Sequence, residues 1–186
     1  FMSDGCTNIV RRGNEYEGIF PTWNWSRIPG TTAPQLKEIP LAASDWQTPG
    51  TSDFAGGVSD SLYGVTTYRY MDNYKDIQTG AHKAWFFFDE EIVCLGANIS
   101  STASEKVYTT VNQCLASSEL ASISLSGKLQ PMEQGEKHYK NPEWIWHDGI
   151  GYLFPKGGNI VAGQQIQSGS WYDINHSINR KEEVQN

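Results

Sequence analysis

Residues 84–96, Ala-Trp-Phe-Phe-Phe-Asp-Glu-Glu-Ile-Val-Cys-Leu-Gly, constrain the fold more than any other stretch. Successive side chains of a strand point to opposite faces, so Trp85, Phe86, Phe87 and Phe88 put aromatic rings on both sides of any strand they form. Such a strand has to be covered on both faces, which places it inside a sheet packed on another sheet. Asp89, Glu90 and Glu91 cannot be buried unpaired and mark a turn. Residues 91–95 then return as an apolar strand.

The rest of the chain repeats this pattern in shorter form. Strands are predicted at 7–11, 64–70, 107–111, 120–125, 143–147, 152–154, 159–162 and 170–174, where β-branched and aromatic residues alternate with polar ones. In 143–147, Trp144 and Trp146 share one face and Ile145 takes the other. Asp148-Gly149, Pro155-Lys156-Gly157-Gly158 and Gly163 supply turns between them. No window holds apolar residues at helical spacing with caps at both ends. About ten short strands with almost no helix predict an all-β fold, a large antiparallel β-sandwich, as a single domain over 1–186. Two loops are too long for simple meanders. Residues 20–40 hold four prolines with Trp23 and Trp25, and 45–60 are rich in Gly, Ser and Asp. Long loops in a folded domain usually carry function.

Charge narrows the partners. The 186 residues carry a net charge of -7, which repels nucleic acid and anionic lipid. An anionic polysaccharide finds no global attraction either, and needs a local basic feature. Lys and Arg cluster only at Arg11-Arg12 and Arg180-Lys181. Three cysteines, Cys6, Cys94 and Cys114, make neither a disulfide framework nor a zinc site. Cys94 and Cys114 read as buried thiols. No transmembrane run or signal peptide is evident. The start at Phe1 and the charged turn 179–183 read as cuts through a longer polypeptide.

Three segments carry candidate chemistry. Residues 11–32 mix basic, acidic and aromatic side chains in a loop, as a sugar site does: rings stack on pyranose C–H faces and charges fix hydroxyls and carboxylates. The alternative is a structural plug, with Trp23 and Trp25 packing the loop down. In 53–64, Asp53 and Asp60 are a candidate pair for a structural calcium, against an Asx-stabilised turn. In 144–155, His147 and Asp148 invite a catalytic pair, but neighbours on a strand face opposite ways, and a strand end followed by an Asp-Gly turn accounts for them. His82, His138 and His176 lack metal-ligand spacing. No nucleophile elbow, phosphate loop or dinucleotide fingerprint is present.

Taken together, residues 14–32 (NEYEGIFPTWNWSRIPGTT), 53–64 (DFAGGVSDSLYG), 84–96 (AWFFFDEEIVCLG) and 147–155 (HDGIGYLFP) resemble polysaccharide lyase family 8, nearest its chondroitin AC type. The resemblance implies the central β super-sandwich, mutarotase-like in fold and incomplete at both ends. The N-terminal α/α toroid and smaller C-terminal β-domain of the same enzyme are the implied partners. It also implies β-elimination at a uronic acid of an anionic polysaccharide, chondroitin sulfate or hyaluronan, with base, carboxylate-neutralising groups and arginine in the toroid. Glu15 matches the family's sandwich glutamate, with the implied role of orienting toroid side chains. Tyr16, Trp23, Asn24 and Arg27 are candidates to line the cleft. Gly18 departs from relatives that carry Asn there. The resemblance implies no required cofactor, no nucleic-acid or membrane partner, and a secreted or periplasmic bacterial enzyme. A non-catalytic carbohydrate-binding or scaffold sandwich, and a mutarotase-like epimerase, are the competing readings.

Overall fold

The computed structural model describes residues 4–38, 51–72, 74, 76–116, 121–174 and 182–186. The backbone divides into two units, one of residues Phe1–Ile9 and Asn24–Gln113, the other of Val10–Trp23 and Cys114–Asn186.

The first unit holds β1 (Thr32–Pro34), β2 (Ala55–Ser59), β3 (Gly64–Met71), β4 (Thr79–Phe87), β5 (Ile92–Ser101) and β6 (Val107–Thr109). Four of them form an antiparallel sheet in the order β2-β3-β4-β5. The aromatic strand β4 is therefore interior to its sheet, as its sequence predicts. Its period of two is plain: Thr79, Ala81, Lys83 and Trp85 are buried, and Tyr70 of β3 is buried opposite Ala81. The acidic residues 89–91 lie in the β4–β5 connection, closed by Phe88 N–H donating to the Glu91 carbonyl at 2.9 Å. A bulge sits opposite Ala81, where Gly80 pairs with Ser100 but His82 with Ala97. Asn98 takes φ 51° there, a conformation asparagine tolerates better than most residues.

β1 pairs antiparallel with β6, with Thr32 and Thr109 joined through their hydroxyls at 2.9 Å. Lys83 reaches from β4 to this layer. Its buried ammonium donates to the Gly30 carbonyl and, at 3.2 Å, to Thr32 Oγ1, and lies 5.5 Å from the Trp85 ring centroid. Burial depresses its pKa to about 8. Gly30, at φ +85°, backs onto the Gly5 carbonyl and the Thr7 side chain, so a Cβ has no room.

The opposite face of the sheet is open. Val58, Val65, Phe86 and Val93 form one cross-strand row over all four strands. Val58 is 70% and Val93 42% exposed, and Leu95 is exposed beside them. Two-sided cover of the aromatic run is thus absent among the described residues. Phe87 and Phe88 reach the exposed rim, where the sheet ends. Cys94, expected to be buried, is exposed on the edge strand β5.

The second unit begins with a 3₁₀ turn (Phe20–Thr22). It then holds β7 (Ser122–Leu125), β8 (Lys128–Pro131), β9 (Gly135–Lys140), β10 (Trp144–His147), β11 (Ile150–Leu153), β12 (Asn159–Gln164), β13 (Ser168–Ser170), the short helix α1 (Trp171–Ile174) and β14 (Glu183–Gln185). A four-stranded sheet runs β11-β10-β7-β8, beside the pairs β12-β9 and β13-β14. Its core is Ala121, Ile123, Met132 and Ile145, against which Tyr139, Tyr152, Phe154 and Ile160 pack. Burying side chains the size of Ile123, Met132 and Ile145 contributes about 1.5–3 kcal/mol each. Trp144 and Trp146 share the face opposite Ile145, as their spacing predicts. Ser126-Gly127 and Asp148-Gly149 each close a two-residue hairpin with both residues at positive φ, the twist that suits a right-handed ribbon.

Several expected elements differ. Residues 7–11 are not a strand: the Thr7 amide bonds to the Pro29 carbonyl and the Arg11 amide to Glu15. At 170–174 the chain turns helical after β13, because Ser170 Oγ accepts the Tyr172 amide at 3.2 Å and starts a turn instead of a ladder. Within 51–60, Ala55–Ser59 forms the edge strand β2. Residues 45–50, His176 and Arg180-Lys181 lie outside the described residues.

Candidate active-site loop

Residues 11–15 make a tight turn whose centre is a carboxylate. Glu15 Oε1 accepts the amides of Arg11 at 2.8 Å and Arg12 at 2.6 Å, and Oε2 accepts that of Gly13 at 2.9 Å. The residue is only 4% exposed. Backbone amides, first that of Arg12, lower its pKa to about 2. Glu15 is an anion throughout the physiological range, and its charge is met by amides, not by either neighbouring guanidinium. Its carbonyl accepts the Leu115 amide at 2.9 Å, which fixes the turn to a second segment of the same unit.

The arginines go to the β10–β11 hairpin. Arg12 forms an ion pair with Asp148, and Arg11 Nη1 donates to the Asp148 carbonyl at 3.2 Å. Gly149, at φ +78°, has no Cβ, and the Arg11 guanidinium occupies the space a Cβ would take. Asp148 is thus paired with Arg12 and not with His147. His147 Nδ1 lies 3.9 Å from Cys114 Sγ. Burial raises the Cys114 thiol to about 11, helped by Asp148 and Glu15, and burial lowers the His147 imidazole. A protonated thiol beside a neutral imidazole is no activated nucleophile at neutral pH.

The remaining candidates divide by unit. With Glu15 stand Tyr16, half-buried, and Trp23, 5% exposed. Trp23 meets Phe20 edge-on at 4.9 Å and Tyr16 at 6.4 Å, so it supports the loop and offers no open stacking face. In the other unit, Asn24 is exposed, and its Oδ1 accepts the Ser26 amide at 3.0 Å. Arg27 is half-buried, donates to Gln35 Oε1 at 2.7 Å and lies 5.6 Å over the Tyr108 ring. The Gln113 side chain accepts the Asn24 amide and donates to the Asn24 and Arg27 carbonyls, and so holds this segment by its backbone.

The carboxylates considered for calcium do not fit one. Asp60 accepts the amides of Leu62 at 2.9 Å and Tyr63 at 2.7 Å in an Asx turn, and Asp53 is paired with Arg69. Among the described residues no group of three or more His, Cys, Asp or Glu is placed to hold a metal. None of their helices is long and apolar enough to cross a membrane.

A glutamate turn of this kind sits in a sequence with known relatives. The description of polysaccharide lyase family 8, super-sandwich domain, matches residues 1–186. The chain belongs to polysaccharide lyase family 8. This family 8 chain is 44% identical over 183 residues to the chondroitinase-AC of Pedobacter heparinus, covering 98% of itself and 25% of that protein. It is 31% identical over 168 residues to a hyaluronate lyase of Thermasporomyces composti, covering 88% of itself and 21% of the relative. A chondroitinase AC lyase solved as enzyme–oligosaccharide complexes superposes with a TM-score of 0.85 at 42% identity, over 100% of this chain and 27% of that one. The family 8 chain therefore spans about a quarter of the length of these proteins. Arg11 and Arg12 fell within the candidate stretch 11–32 and Asp148 was weighed as a partner of His147, but the Arg12–Asp148 and Cys114–His147 pairings were not expected from sequence. The one available signal was that Arg11-Arg12 is a rare basic pair in an acidic chain.

Proposed function

We propose that this chain is the sandwich portion of a lyase that cleaves a uronic-acid-containing polysaccharide, chondroitin sulfate or hyaluronan, by β-elimination, and that it contributes Glu15 and one wall of the cleft. The carrying observation is the buried carboxylate of Glu15, ionised and pre-set by three backbone amides, in a chain of this family. The names of its relatives, chondroitinase and hyaluronate lyase, support the substrate class.

In the reaction a base takes the proton at C5 of the uronate. The released electron pair forms the C4–C5 double bond, the C4–O glycosidic bond breaks, and the departing oxygen takes up a proton. The C5 proton is weakly acidic, so neutralising the adjacent carboxylate is the main electrostatic requirement. In the proposed division of labour, base and neutralising groups stand in the α/α toroid of the same polypeptide. Glu15 is a fixed anion that orients a cationic or phenolic side chain by charge-assisted hydrogen bonds. Acid–base elimination of this type needs no cofactor. A polymeric substrate places the enzyme outside the cytoplasm, secreted or periplasmic, in a bacterium.

The test is Glu15→Ala and Glu15→Gln in the full-length enzyme, following the ultraviolet absorbance of the unsaturated product. Turnover is expected to fall about 10²-fold, the usual size of losing one oriented electrostatic group. Turnover within threefold of wild type, from folded variants, removes Glu15 from the site.

A further inference from the structure

A polyanion approaching this chain meets a net charge of -7, so a fixed local cation is the feature the substrate class most requires. Lys and Arg side chains are scattered on the surface, and a long flexible cation costs rotamer entropy when it is immobilised on a ligand. Arg11 differs from them. Its backbone amide is fixed by Glu15 at 2.8 Å, its Nη1 is held by the Asp148 carbonyl at 3.2 Å, and its guanidinium rests in the space left by the missing side chain of Gly149. The cost of ordering it has already been met by the fold.

The charges around it are also sorted. Arg12 is committed to Asp148. Glu15 directs its carboxylate into three amides of the turn and is buried. Arg11 is exposed and donates to a neutral carbonyl, which occupies one N–H of a fork that has five. What the turn presents to solvent is a pre-oriented guanidinium with donors to spare, the group best matched to a planar or tetrahedral oxyanion.

We propose that Arg11, laid along the Asp148-Gly149 turn, is an anion subsite that takes a carboxylate or sulfate group of the polysaccharide. This rests on the lyase reading given above and names the charge contact of that same site. The two sources of oxyanion differ between substrates. Hyaluronan carries only carboxylates, whereas chondroitin sulfate carries both.

The experiment uses the full-length enzyme with Arg11→Gln, Arg11→Lys and, as a control for net charge, Lys140→Gln on the exposed edge of β9. KM on each polymer and direct binding of a sulfated chondroitin oligosaccharide by calorimetry are measured at two salt concentrations. Arg11→Gln is expected to weaken KM and binding by about tenfold, the scale of one hydrogen-bonded charge, and to flatten the salt dependence. Arg11→Lys is expected to fall between Gln and wild type, and Lys140→Gln to match wild type. A loss on both polymers assigns the carboxylate, and a loss on chondroitin sulfate alone assigns the sulfate. Binding and KM within twofold of wild type for Arg11→Gln, or an equal loss in Lys140→Gln, overturns the subsite. If wild type releases no unsaturated product yet binds the oligosaccharide through Arg11, the lyase reading falls and the subsite stands.

Discussion

Lys83 carries its charge to two neutral acceptors, the Gly30 carbonyl and Thr32 Oγ1, in a buried place. Desolvation lowers its pKa from 10.5 to about 8, and the sign of the consequence follows. Below pH 8 both folded and unfolded chains hold the proton. Between pH 8 and 10.5 the unfolded chain holds a proton that the folded chain has released, so the contribution to stability rises with pH and then levels off. Lys83→Met is expected to flatten that rise relative to wild type in urea denaturation across pH 7.5 to 10.5. Parallel curves for the two proteins would show that Lys83 does not titrate in this window. At this scale the sequence was only partly legible. Glu15 came from the resemblance, but nothing local announces that the carboxylate takes its own turn's amides. Arg11 stood in the candidate stretch 11–32, but its anchoring could not be read locally because its partner in the β10–β11 hairpin is 137 residues away.

Strands were legible where burial alternates and turn residues are decisive. β4, β10 and the Asp148-Gly149 hairpin stand where alternation and positive-φ chemistry put them. Alternation misled at 7–11 and 170–174, because a period of two is necessary for a strand but a ladder partner is also required. β2, β8 and β9 were missed for the opposite reason. Their sequences are glycine-rich or polar, yet β2 and β8 form sheet edges, where one side needs no partner. The β10–β11 hairpin offers a test. Gly149→Ala places a Cβ at φ +78°, which costs about 1–2 kcal/mol, and drives the Arg11 guanidinium from its seat. A lowered midpoint in urea with an unchanged slope is the expected result. A midpoint equal to that of wild type would mean that the turn relaxes without cost.

Across the whole molecule, the all-β class was readable from the frequency of short strands, and the family from four segments. The two compact backbone units are not marked by any break in sequence pattern, because the second unit draws Val10–Trp23 from between two stretches of the first. The open row Val58, Val65, Phe86 and Val93 has a plain physical cost. Apolar area of this kind, next to the edge of β5, which pairs with no further strand among the described residues, favours association. The chain expressed alone is expected to self-associate in sedimentation velocity at about micromolar to millimolar concentration, and Val93→Lys to reduce this by placing a charge in the row. A monomer across that range for wild type would remove the row as the cause.

The amide nest around Glu15 also separates what can vary from what cannot. Main-chain N–H groups are the same whatever side chain follows, so residues 11 and 12 are free to change without discharging or releasing the carboxylate. Position 13 lacks that freedom, because its amide is presented at φ +100°, where a side chain is strained. A lineage of such proteins can therefore retune the cations that greet a substrate, one substitution at a time, while the anion at the centre of the turn stays in place.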